Sequence, residues 1–160
     1  MPRIPLRLLV VVCFIAGCGG SDATGPDPKS ASYERVAGTY AGPFVGTSQG
    51  VGMNSTFTVT ITQSDESLSG SWALSGTLSD GFQSIDVLGS GAMTGTVQPG
   101  SNPSVAIRVA PAECPDNKAD FMGTYDSANR RLTLTGPVEV FDPSTCDVLI
   151  SYQTTIVLAR

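Results

Sequence analysis

The stretch Ser55-Thr56-Phe57-Thr58-Val59-Thr60-Ile61-Thr62-Gln63 decides the fold. Phe57, Val59 and Ile61 alternate with four threonines, so one face is apolar and the other polar at a period of two. That spacing places successive side chains on opposite faces of a half-buried strand, and β-branched residues fit both faces. Ser64-Asp65-Glu66-Ser67 supplies turn chemistry, and Leu68, Gly70, Trp72 and Leu74 continue the alternation on a returning strand. The two runs predict a hairpin.

The same pattern extends in both directions. Gly38 to Val45 reads as a first strand, and Ile85 to Val97 as a long strand interrupted by Gly89, Gly91 and Gly95. Val105, Ile107 and Val109 alternate around Ala106 and Arg108. Phe121, Gly123 and Tyr125 lead into a turn at Asp126-Ser127-Ala128-Asn129, and Leu132 and Leu134 return. Ile150, Tyr152, Thr154, Ile156 and Leu158 form a closing strand. No helical stripe appears after the first 17 residues. The expectation for residues 33–160 is an all-β domain of about eight antiparallel strands in meander order. It is a small β-barrel, with a β-sandwich as the alternative. Glycines within strands favour the barrel, because they mark bends or close backbone approach.

The beginning of the chain has a different character. Met1 to Arg7 carries Arg3 and Arg7 and no acid, and Leu8 to Ile15 is apolar. A spanning helix needs about 20 apolar residues, and this run stops at Gly17, Gly19 and Gly20. A basic start followed by a short apolar run has the organisation of an export signal. Ile15-Ala16-Gly17-Cys18 resembles the lipobox of bacterial lipoproteins: aliphatic, small, small, cysteine. The resemblance implies that residues 1–17 are removed and that the Cys18 thiol accepts acyl chains, which associate the protein with a membrane. Two chains suffice for stable anchoring, at about 0.8 kcal/mol for each buried CH₂. It also implies a cell-envelope location. Gly19, in place of an aspartate, favours the outer membrane where the organism has one. Residues 18–32 are rich in Gly, Ser, Asp, Pro and Thr, a composition suited to a flexible tether.

Of four cysteines, Cys13 leaves with the signal and Cys18 carries lipid, so Cys114 and Cys146 remain. An even pair in an oxidising compartment reads as a disulfide. It closes a loop of about 30 residues and stabilises by roughly 3–4 kcal/mol in the chain-entropy account. Cys114 follows the fifth expected strand and Cys146 precedes the eighth, which puts both on one rim of a meander.

The formal net charge is −5, and losing Arg3 and Arg7 makes the exported part more acidic. With Arg130-Arg131 as the only adjacent basic pair, no positive face offers itself to phosphate, which argues against nucleic acid. The chain has no histidine, so the usual general base and the Ser-His-Asp arrangement are absent. Gly46-x-Ser48-x-Gly50 fits the short pattern of a nucleophile elbow, but that elbow needs a strand-to-helix turn. Asp86, Asp120 and Asp126 are the candidates for a carboxylate hydrolase. Asp116-Asn117 and Asp142 to Asp147 are oxygen-rich, yet no EF-hand loop is present. The expectation is therefore no catalytic residue, metal or cofactor.

The start Tyr33-Glu34-Arg35-Val36-Ala37-Gly38-Thr39-Tyr40, the meander and Arg160 resemble the calycin superfamily of lipocalins and avidins. There a Gly-x-Trp packs at the closed barrel end beneath a basic residue of the last strand. The resemblance implies that Tyr40 stands in the place of that tryptophan and that Arg160 is its partner. Avidins surround biotin with several tryptophans. This chain has only Trp72, so biotin binding does not carry over. Phe57, Trp72, Tyr125 and Tyr152 alternate onto one face of their strands and are the candidates to line a ligand pocket. The leading expectation is a non-enzymatic envelope lipoprotein that binds a small apolar ligand or a protein partner. The rival is a structural or assembly lipoprotein with a filled core that acts through its outer surface.

Overall fold

A computed structural model describes residues 32–160. The expected export signal (1–17), the expected acylation site Cys18 and all but the last residue of the expected tether (18–32) lie outside the described residues. Ala31–Arg160 forms one compact unit. Its elements are β1 (Gly38–Ser48), β2 (Val51–Ser64), β3 (Ser67–Ser79), β4 (Ser84–Val97), β5 (Ser104–Pro111), β6 (Ala119–Asp126), β7 (Arg131–Phe141) and β8 (Val148–Ala159). All eight pair antiparallel with their sequence neighbours, and β1 meets β8, so one sheet closes into a barrel rather than splitting into a sandwich. No helix occurs among the described residues.

The period-two patterns place the core. Met53, Phe57, Val59 and Ile61 of β2 are buried, whereas Thr56, Thr60 and Thr62 face solvent. Apolar inside and polar outside is the reverse of a lipid-spanning barrel. The two-residue connection Gln49-Gly50 joins β1 to β2 with positive φ at both residues (52° and 81°), a conformation that suits a tight hairpin. Gly46-x-Ser48-x-Gly50 is thus the end of a hairpin. The β1–β8 seam is the thinnest ladder, registered at Ala41 opposite Ala159. Gly42 lies so close to the Val157 carbonyl that a Cβ there would overlap it.

One end of the barrel is shut by the segment before β1. Val36 is fully buried; its N–H donates to Gln63 Oε1 at 2.7 Å, and its carbonyl accepts from the Tyr40 hydroxyl at 2.7 Å. The Gln63 amide also donates to the Glu34 and Asp65 carbonyls. Tyr40 meets Tyr125 edge-on, with ring centroids 6.1 Å apart, and the Arg160 side chain lies against Gly38. Burial, with the neighbouring Tyr125 phenol, pushes the Tyr40 hydroxyl well above the ordinary tyrosine range.

The opposite end is built differently because the strands are unequal. β4 has 14 residues but β5 only 8. β5 reaches back along β4 only to Gly91, so β4 between Ser84 and Gly89 has no β5 partner. β6 pairs with β7 only as far as Thr135, so the later part of β7 also has a free edge. The segment between β5 and β6 bridges this gap. It is fastened to the β7–β8 loop by the Cys114–Cys146 disulfide and by Asn117 Nδ2 donating to the Cys146 carbonyl at 2.6 Å.

Candidate ligand cavity

The gap between the free edges of β4 and β7 opens into a cavity of about 740 Å³. Its apolar lining includes Phe57, Trp72, Leu74, Leu78, Val109 and Phe121. This volume falls within the usual range for small-molecule sites. Phe57 is the hinge of the wall: it stacks on Trp72 at 5.9 Å with a 27° interplanar angle, and lies 6.1 Å from Phe121.

Trp72 is half-buried, and its indole N–H donates to the Ala110 carbonyl at 3.3 Å. An indole in an apolar setting needs such a partner. Space for the ring comes from β4, where a Cβ on Gly89 would lie 3.2 Å from Trp72 Cη2 and one on Gly91 would lie 2.9 Å from Nε1. These glycines therefore form a slot for the indole. At Gly91 this is the close backbone approach expected of a strand glycine, because a Cβ there would also overlap the Ala110 carbonyl.

Alternation placed four aromatic residues on the inward face, and the structure separates them by depth. Phe57 and Trp72 line the cavity. Tyr125 is buried at the closed end beside Tyr40. Tyr152 packs edge-on to Phe44 at 5.8 Å and donates to the Val51 carbonyl at 3.3 Å; burial raises its phenol pKa. Neither tyrosine is part of the cavity wall. Alternation alone did not single out the cavity's other contributors, Phe121 and the disulfide-tied segment containing Cys114 and Asn117. A short β5 followed by a seven-residue connection was the available signal.

Arg160 and Tyr40 both belong to the closed end, where Arg160 covers Gly38 and Tyr40 is interior. The three acids considered for hydrolysis are dispersed. Asp120 is paired on the outer wall with Arg108, whose Nε and Nη2 donate at 2.7 and 2.8 Å. That bond holds the Asp120 pKa below its ordinary value. Asp126 accepts from Ala128 N, Asn129 N and Asn129 Nδ2 in the β6–β7 turn. Asp86 is on the free part of β4. Among the described residues no three His, Cys, Asp or Glu side chains gather as a metal site. A second depression of about 400 Å³ lies at the closed end beside Tyr33, Arg35, Thr62 and Asp65, without an apolar enclosure.

Several apolar side chains remain outside at the cavity end. Phe82 in the β3–β4 turn is 96% exposed and Leu88 on β4 is 82% exposed. Ile85, Val148 and Leu149 add to this rim. Compared with known protein families, curated proteins and solved structures, the chain matches none.

Proposed function

We propose that the chain is an exported lipoprotein of bacterial type, joined to the envelope through acylated Cys18, whose barrel holds a small apolar ligand. The open cavity beside Trp72 is the observation that carries this reading. An interior meant only to be filled would place side chains there, since protein cores pack to crystal-like density with few voids larger than water. The basic start, the short apolar run and Ile15-Ala16-Gly17-Cys18 support export and acylation, and the Cys114–Cys146 bridge suits an oxidising compartment. No step of chemistry is assigned, and the protein acts by capture.

Trp72 is the only tryptophan, so its emission reports on the cavity wall alone. The barrel of Ala31–Arg160 contains every ladder and the whole core of the described residues, and is the unit to titrate. An uncharged medium-chain amphiphile, kept below its micelle concentration, should change the emission saturably. A response that stays linear throughout would remove the ligand reading. Intact mass spectrometry of the full chain isolated from cells tests the anchor, which requires added acyl mass on Cys18.

A second reading draws on the exposed rim. Phe82, Ile85 and Leu88 lie beside the unpaired edge of β4, and an envelope protein that adds a strand there would use both features. Co-purification that persists with the cavity saturated would favour it.

A further inference from the structure

We infer that the cavity is built for an amphiphile with a positively charged head, and against anionic lipids such as fatty acids. This inference rests on the ligand reading above and adds the chemistry of the head group. The apolar wall accounts for a hydrocarbon body. The charge of the mouth is a separate observation.

Asp86, Glu113 and Glu139 line the opening, and no lysine or arginine does. Asp80 in the β3–β4 turn, Asp116 in the β5–β6 segment and Asp142 and Asp147 in the β7–β8 loop surround it at the same end. Lys118 is the single cation there. At the closed end, Arg35, Arg130, Arg131 and Arg160 offset Glu34, Asp65, Glu66 and Asp126. Arg108 and Asp120 cancel one another on the wall between the ends. The net negative charge of the described residues is therefore concentrated around the cavity rather than spread over the surface.

A ligand that seats its chain against Phe57, Trp72 and Phe121 must leave its head at this rim. A carboxylate head would lie among like charges within about a Debye length, roughly 10 Å at 0.1 M salt. A quaternary or primary ammonium head gains the attraction that the carboxylate forfeits, and an apolar cleft rimmed by one sign of charge also concentrates the matching ion.

The test uses three amphiphiles of equal chain length: a dodecyl trimethylammonium, an uncharged dodecyl glucoside and dodecanoate. Each is kept below its micelle concentration and followed by Trp72 emission, with far-ultraviolet circular dichroism confirming that the barrel stays folded. At low salt the cation should bind about tenfold or more tightly than the anion, with the glucoside between them. The gap should narrow as salt shortens the Debye length toward ~3 Å at 1 M. A triple variant, Asp86→Asn with Glu113→Gln and Glu139→Gln, should reduce the cation-to-anion ratio. The salt series on the unmodified barrel makes the same test if that variant fails to fold. Binding of the glucoside with no preference between charged heads, or with a preference for dodecanoate, would overturn the inference while leaving the ligand reading intact. Binding of none of the three would overturn both.

Discussion

The two ends of the barrel solve the problem of finishing a sheet in opposite ways. At the closed end, the residues before β1 turn inward, and Val36 fills the axis. Gln63 and Tyr40 satisfy the backbone groups that this burial would otherwise strand. Shutting the end thus takes a plug of a few residues and a set of matched hydrogen bonds. At the open end β5 and β6 stop short, the wall has a gap, and the segment across it contributes little core. A covalent bond between Cys114 and Cys146 holds that segment in place. The contrast separates two sources of order. Packing and hydrogen bonding fix a full interior, whereas a hollow lacks those contacts and is held by a cross-link at its rim.

The most severe way to break the comparison is to empty the closed end. Tyr40→Ala should destabilise the domain by about 3–5 kcal/mol, the range for large aromatic-to-alanine changes in cores. Denaturant melts of the barrel measure this, and a loss below about 1 kcal/mol would show that the plug does not anchor the fold. Next comes the cross-link. Cys114→Ser with Cys146→Ser should cost roughly 3–4 kcal/mol in the chain-entropy account. Its native-state effect should be local: amide exchange should quicken in the β5–β6 and β7–β8 connections while the Val36 amide stays protected. Equal acceleration at both ends would erase the distinction.

The smallest effect is acid loosening of the turns, which occur at both ends. Asp80 accepts from the Phe82 and Gln83 amides in a turn at the open end, and Asp126 does the same work at the closed end. Both have pKa values below the ordinary carboxyl value, Asp80 through the Gln83 and Phe82 amides and Asp126 through Asn129. A depressed folded-state pKa contributes stability that is complete above the unfolded value, about 3.9. It is lost as pH falls through the folded-state value. Nuclear magnetic resonance titration should show both turns loosening only below about pH 4. Loosening near neutrality at either turn would contradict the assignment.

The wall was readable from the chain, but of the hollow only two lining residues, Phe57 and Trp72, were. Phe57, Val59 and Ile61 against four threonines state which face of β2 is inside, because strand periodicity is two and a slip of one residue inverts the faces. Pairing of neighbours then follows from short turns such as Asp65-Glu66. Alternation reports face but carries no depth, so it could not separate Phe57 and Trp72 at the cavity from Tyr125 at the closed end. Nor does it say where a strand loses its partner. That depends on the registers of β4 with β5 and of β6 with β7, which together leave the gap. The slot for Trp72 is equally hidden, since it arises where Gly89 and Gly91 come alongside a ring many residues earlier.

The order of assembly follows from the meander. Seven ladders join strands that are consecutive in the chain, and only the β1–β8 seam spans the domain. Neighbouring strands find one another by short searches, while bringing the two outer strands together carries the largest loop-closure entropy and comes last. Until then the domain is a curved ribbon with two free edges, each able to recruit a strand from another chain. Gly42 belongs to that final event, because the Val157 carbonyl of β8 takes the space where its side chain would be. The absence of a side chain at this one position, between the Val157 carbonyl and the core residue Leu158, is thereby a condition for closing the two edges that would otherwise stay open to aggregation.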